Sequence, residues 1–183
     1  FTYEYEWLMR IIRRREWNLA RAAMNSRRYI DDLFVLDNPS FESRMYRPSG
    51  TDPGNPPGLY PRDTLTLLKS AEGPSIPFLD LQVRQNSRRG IITSVFDKRL
   101  DKAYAHIQVI RCPNVDSFLA NKVKANIVTA QMHRFLGICS RSRDFAFQSA
   151  LCLFRLSNKG YKDAWLWPRV LSFLLKHPDA YSG

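Results

Sequence analysis

Two adjacent carboxylates interrupt a strand-forming run near the start of this chain. In Arg27-Arg28-Tyr29-Ile30-Asp31-Asp32-Leu33-Phe34-Val35-Leu36, aromatic and branched residues flank Asp31 and Asp32. Such a run reads as a β-hairpin with the acidic pair inside it. Unpaired aspartates in a half-buried hairpin repel each other and are costly to desolvate. A hard cation removes that cost, and Mg2+ usually takes one or two carboxylates together with substrate phosphates. On this reading the pair serves phosphoryl transfer by two metals, which brace the attacking and leaving oxygens. The competing reading is a solvated turn in which Asp31 and Asp32 only end the hairpin, since a tetrapeptide recurs by chance.

Further segments follow in an order that a single motif would not provide. Phe1-Thr2-Tyr3-Glu4-Tyr5-Glu6 precedes the acidic pair, and Phe78-Leu79-Asp80-Leu81, Val95-Phe96-Asp97-Lys98-Arg99 and Gln131-Met132-His133-Arg134-Phe135 come after it. Together with Tyr29-Ile30-Asp31-Asp32 they resemble reverse transcriptases, nearest to those of eukaryotic retroelements, over roughly Phe1 to Tyr161. In that family the corresponding pieces are a helix after the template-positioning motif, the catalytic palm hairpin, the two strands of the primer grip and a thumb-side helix. The resemblance implies an α+β fold. Residues 1–100 would hold a partial palm with the catalytic-type hairpin and a primer-grip-like hairpin, and residues 101–183 a helical thumb-like region.

The same resemblance makes Asp31 and Asp32 the expected metal ligands, vestigial or incomplete. The family's third carboxylate, its glycine-containing template segment and its fingers do not lie within these 183 residues. Mg2+ is therefore expected only if another segment completes the site. A chain that begins at Phe1 reads as a processed product or a piece of something longer, and by itself it is not expected to polymerise. Two functions follow. In the first, the chain is a catalytically incomplete nucleic-acid-binding or structural module of a larger ribonucleoprotein, with other proteins covering its palm face. In the second, it is the C-terminal part of an active RNA-directed DNA polymerase.

Charge points to the partner. Lys and Arg number 28 against 17 Asp and Glu, a formal net charge of +11. Cations at this excess favour a polyanion, here RNA or an RNA–DNA hybrid, because neutralised phosphates release counterions. No long apolar run or amphipathic basic terminal helix supports a membrane role. Cys112, Cys139 and Cys152 have neither zinc nor disulfide spacing, and read as reduced, mostly buried thiols of an intracellular protein, mitochondrial or nuclear. His106, His133 and His177 are too scattered in sequence for a metal site.

Local patterns complete the expectations. Residues 2–24 read as one helix with Tyr5, Leu8, Ile12 and Leu19 on its apolar side and Arg10, Arg13, Arg14 and Arg15 as a basic cluster, either a phosphate contact or a wet face. The Pro/Gly-rich segment 47–62 excludes helix and strand, and is an inert insertion or a docking loop. Runs Pro77 to Val83 and Ile91 to Phe96, around Arg88-Arg89-Gly90, predict a hairpin with Arg84, Arg88 and Arg89 available to phosphate. Asp80 within it reads as a hydrogen-bonded structural carboxylate rather than a metal ligand. A helix capped by Asp116 or Ser117 is expected to bury Leu119, Val123, Ile127 and Ala130. Its Lys122, Asn126, Thr129 and His133 share another face, either a backbone track or solvated surface. A second helix runs from near Asp144 to a cap at Gly160, and Trp165, Trp167 and Phe173 anchor a tail. The expected nucleic-acid contacts are Arg88, Arg89, Lys122, Lys124, His133, Arg134, Arg141 and Arg143.

Overall fold

The computed structural model describes residues 2–39, 41, 66–87, 90–98 and 112–180. The class is α+β, with helices and two small antiparallel sheets among the described residues. Contacts divide the chain into two compact units, Phe1–Ser70 and Ala71–Gly183. The 47–62 segment, Arg88, Arg89 and His106 lie outside the described residues.

The first unit holds α1 (Thr2–Arg13), α2 (Trp17–Met24), β1 (Ser26–Tyr29) and β2 (Asp32–Val35). The single helix expected over 2–24 is therefore two. The break lies in the arginine run, where Arg15 takes a φ of 60°. Its amide donates to Ile12 (2.9 Å) and the Glu16 amide to Ile11 (3.2 Å). This is the paired 5→2 and 6→1 closure of a Schellman motif, with arginine where glycine is usual. No glycine or proline marks the site, which is why the pattern read as continuous. The break lets the helices fold on each other: Trp7, Ile11, Leu19 and Ala20 are buried, with Leu8, Ile12, Ala23 and Phe41 packed around them. Tyr5, expected inside, is 64% exposed, and Trp7 takes the core position one turn before Ile11.

The second unit starts with a three-stranded meander, β3 (Ser75–Phe78), β4 (Leu81–Asn86) and β5 (Gly90–Val95). The run Pro77 to Val83, expected as one strand, turns back at Leu79-Asp80, so that Phe78 pairs with Leu81. Pro77 fits because β3 is an edge strand, where a missing amide proton costs least. The expected hairpin survives as β4–β5, with Asn86 opposite Gly90.

Three helices follow: α3 (Asn121–Ile138), α4 (Ser142–Ser157) and α5 (Asp163–Lys176), then a 3-10 turn at Pro178–Ala180. Val95 of the sheet joins Val128, Met132, Phe135, Phe145, Cys152, Leu156, Val170 and Phe173 in one core. The sheet is tied to the α3–α4 corner, since Thr93 Oγ1 donates to the Ile138 carbonyl (2.7 Å) and the Ser140 amide to that of Thr93 (3.0 Å). Helix α4 ends as expected at Gly160 (φ 88°), with the Gly160 and Tyr161 amides donating to Ser157 and Leu156. A Cβ on Gly160 would lie 2.7 Å from Val115 Cγ1, so glycine is needed for space as well as conformation.

Helix α3 departs from expectation in two ways. It starts at Asn121 with Ala120 at the N-cap and no side-chain cap, so neither Asp116 nor Ser117 fills that role. Its buried stripe is Lys124, Val128, Met132 and Phe135, whereas Leu119 and Val123 are 45% and 51% exposed. The segment expected as a tail is helix α5, with Pro168 inside it and Phe173 in the core. Among the described residues no helix is long and apolar enough to cross a membrane.

Candidate nucleic-acid interface

The hairpin tip at Tyr29-Ile30-Asp31-Asp32 is built from a two-residue turn, with Tyr29 paired to Asp32. Ile30 sits at a φ of 53°, a region that branched residues avoid. The Arg28 Nε–H donates to its carbonyl at 2.8 Å. Asp31 and Asp32 are both exposed. They are hard oxygen donors of the type Mg2+ prefers. Among the described residues, no group of three or more His, Cys, Asp or Glu comes together as a metal site. The pair thus fits in donor type but not in number, and no chemical step is derived through a metal.

The expected cationic residues separate by what they touch. Lys124 is 7% exposed, and its ammonium donates to the Val115 and Ser117 carbonyls at 2.5 and 2.7 Å. It fastens the segment before α3 and faces no solvent, unlike the phosphate contact the charge pattern predicts. Arg134 reaches across to the β3–β4 turn and donates to Asp80 Oδ2 at 2.6 Å. Asp80 is therefore the paired structural carboxylate the sequence predicts. Lys122 is exposed one turn before Asn126.

Asp144, in the first turn of α4, collects three guanidinium groups. Arg141 donates to its Oδ2 through Nε (2.8 Å) and Nη2 (2.7 Å), Arg84 of β4 lies 3.4 Å from the same oxygen, and Arg143 lies 3.8 Å from Oδ1. One negative charge faces three positive ones. The Arg143 side chain is 74% exposed, and Arg84 Nε is buried without a hydrogen-bond partner. A backbone hydrogen bond from the Ser140 amide to the Thr93 carbonyl joins β5 to the α3–α4 corner next to Arg141. Asp97, by contrast, is buried and paired with Arg155 at 2.7 Å.

Sequence reading missed a second cationic surface. His133 and Thr129 of α3 line a groove of about 390 Å3 with Arg169, Ser172, Lys176 and His177 of the α5 side. The His133 and His177 rings, called too scattered in sequence, lie 4.9 Å apart, and each contacts Phe173. The signal was present: Arg169, Ser172, Phe173, Lys176 and His177 recur at helical spacing, visible once 163–176 is read as helix.

None of the three cysteines forms a disulfide. Cys152 is buried, while Cys112 and Cys139 are half-buried. Burial pushes the Cys139 thiol above its ordinary 9.0, helped by the charge of Asp144 and opposed by a hydrogen bond from the Val95 backbone. In comparisons with protein-family models, curated proteins and solved structures, none significantly matches this chain.

Proposed function

We propose that this chain is a reverse-transcriptase-derived nucleic-acid-binding module of a larger intracellular ribonucleoprotein, gripping RNA or an RNA–DNA hybrid through its second unit. The sharing of Asp144 by Arg84, Arg141 and Arg143 carries this reading. The carboxylate orders the guanidinium groups while leaving positive charge in excess, and an ordered guanidinium is a strong, geometrically selective phosphate donor. Lys122 on α3 is exposed, as a backbone track and a wet face both require, and on this reading it belongs to a track. Such contacts hold a backbone without reading bases. The unbridged thiols support a reducing compartment, of which the mitochondrion and the nucleus remain the two expected.

Binding of the whole chain to a labelled RNA–DNA hybrid, measured across salt concentrations, tests this. Replacing Lys122 and Arg143 by Ala should make the logarithmic salt slope shallower by about one to two units and weaken unrelated sequences equally. An unchanged slope with unchanged affinity overturns the reading.

A second reading rests on the first hairpin. Asp31 and Asp32 are exposed and adjacent, as ligands awaiting a cation would be. The chain would then be the C-terminal part of an RNA-directed DNA polymerase, with Mg2+ bound once a segment outside these residues supplies the third carboxylate. Residues 1–183 alone should incorporate no nucleotide on a template with Mg2+. Template-dependent extension that Asp31→Asn abolishes would favour this reading over the first.

A further inference from the structure

The groove between α3 and α5 concentrates hydrogen-bond donors and cationic side chains among the described residues. Arg169, Lys176, His133 and His177 line it together with the hydroxyls of Thr129 and Ser172, and no carboxylate is among its described lining residues. Arg169 is held in place, its guanidinium carbon 3.8 Å from the centre of the Trp165 ring and one Nη donating to the Trp165 carbonyl. That contact uses one of its five N–H groups and leaves the rest of the fork to a ligand. Lys176 is exposed on the next turns of the same helix. The two imidazoles are braced against Phe173 at ring distances of 4.8 and 4.5 Å.

We propose that this groove is a receptor for a phosphomonoester, the terminal phosphate of a nucleic-acid strand. The identity of the strand rests on the binding function proposed above; the phosphate does not. Two neighbouring histidines alone would suit a transition metal, but two permanent cations beside them repel one. An anion meets no such penalty. A terminal phosphate carries about −1.5 to −2 charge at neutral pH, whereas an internal phosphodiester carries one negative charge. Arg169 and Lys176 therefore match the terminal group in charge, and its three free oxygens use the guanidinium fork, the hydroxyls and the imidazole N–H groups at once. The size of the groove, about 390 Å3, lies at the lower end of ligand pockets and accommodates the phosphate with its sugar.

His133 and His177 both line the groove, so their NMR signals report it directly. Titration with inorganic phosphate should shift His133 and His177 saturably. A 5′-phosphorylated oligonucleotide should then bind about tenfold more tightly than its 5′-hydroxyl twin, a preference that Lys176→Gln reduces severalfold. Lys176 is exposed, so that variant should keep the fold. Absent or non-saturating shifts of His133 and His177 overturn the groove as an anion site, whatever the Lys122 and Arg143 salt slope shows. Saturable shifts with equal affinity for the two oligonucleotides overturn the terminal-phosphate assignment. Saturable shifts without any oligonucleotide binding keep the phosphate site but overturn both the strand assignment and the proposed module.

Discussion

Tyr29-Ile30-Asp31-Asp32 and Phe78-Leu79-Asp80-Leu81 are the same turn written twice. Each joins two strands by an aliphatic residue followed by aspartate, and the aliphatic residue has a φ of 53° in one and 55° in the other. Their surroundings differ. Leu79 is half-buried and Asp80 is bound by Arg134, whereas Ile30 is 74% exposed and both of its following aspartates face solvent. In the second unit β4 has a strand on either side; in the first, β1 and β2 pair only with each other among the described residues. Local chemistry set the turn in both places. Whether its carboxylate became a structural anchor or stayed available was decided by what packs beside it.

The largest expected effect lies in the helix that brings Arg134 to Asp80. Lys124→Ala would leave the half-buried Val115 and Ser117 carbonyls without their shared donor. That should cost about 2–3 kcal/mol in urea unfolding. Amide exchange should accelerate around Leu79 and remain unchanged around Ile30; equal acceleration at both turns would break the contrast between them.

A smaller effect of opposite sign is expected at the strained residues. Glycine removes an αL cost of roughly 1–2 kcal/mol but adds back about 0.5–1 in chain entropy. Ile30→Gly should therefore stabilise the first hairpin by about 0.5–1 kcal/mol, since its exposed side chain gives up little packing. Leu79→Gly loses half-buried surface as well and should gain nothing. Thermal melts of the two variants compare the turns directly.

Removing charge should separate the tips more gently. The Asp80–Arg134 pair is partly solvated, with side chains 56% and 26% exposed, so Asp80→Asn should cost only about 0.5 kcal/mol after screening. Asp31→Asn should leave the denaturation midpoint where it was. A loss at Asp31 as large as at Asp80 would mean that the first carboxylate also has a structural partner.

The smallest expectation concerns alkali. The Cys139 thiol is raised above 9.0 in the folded chain, so its unfolded counterpart ionises first as pH increases. Its contribution is fully present below about pH 9 and is lost as pH climbs through the folded value. All three cysteines belong to Ala71–Gly183, so this loss should fall on the second unit. Cys139→Ala should abolish that increment in a pH series of melts.

Much of this was legible residue by residue, because turns and caps depend on a few neighbours. The first hairpin, the hairpin around Arg88-Arg89-Gly90, helix α4 and its Gly160 end all followed from local pattern. Asp80 is hydrogen-bonded as expected, but at 56% exposure the burial that motivated the expectation is not what holds it. The break at Arg15 was hidden because a left-handed cap at arginine carries no glycine to announce it.

The order of residues pointed to the α+β class through the resemblance it carries, and it left the acidic hairpin between a half-buried metal site and a solvated turn. Composition alone determined the cationic excess. Only the tertiary structure decided which cations those were. Lys124 and Val123 are neighbours on one helix, and charge pattern favours Lys124 for solvent; the path of residues 115–117 places two carbonyls over it and turns it inward. Arg134 lies 54 residues from Asp80, and His133 lies 44 positions before His177, separations over which no local pattern carries information. A helix face acquires its role from the surface packed against it, and that surface comes from elsewhere in the chain.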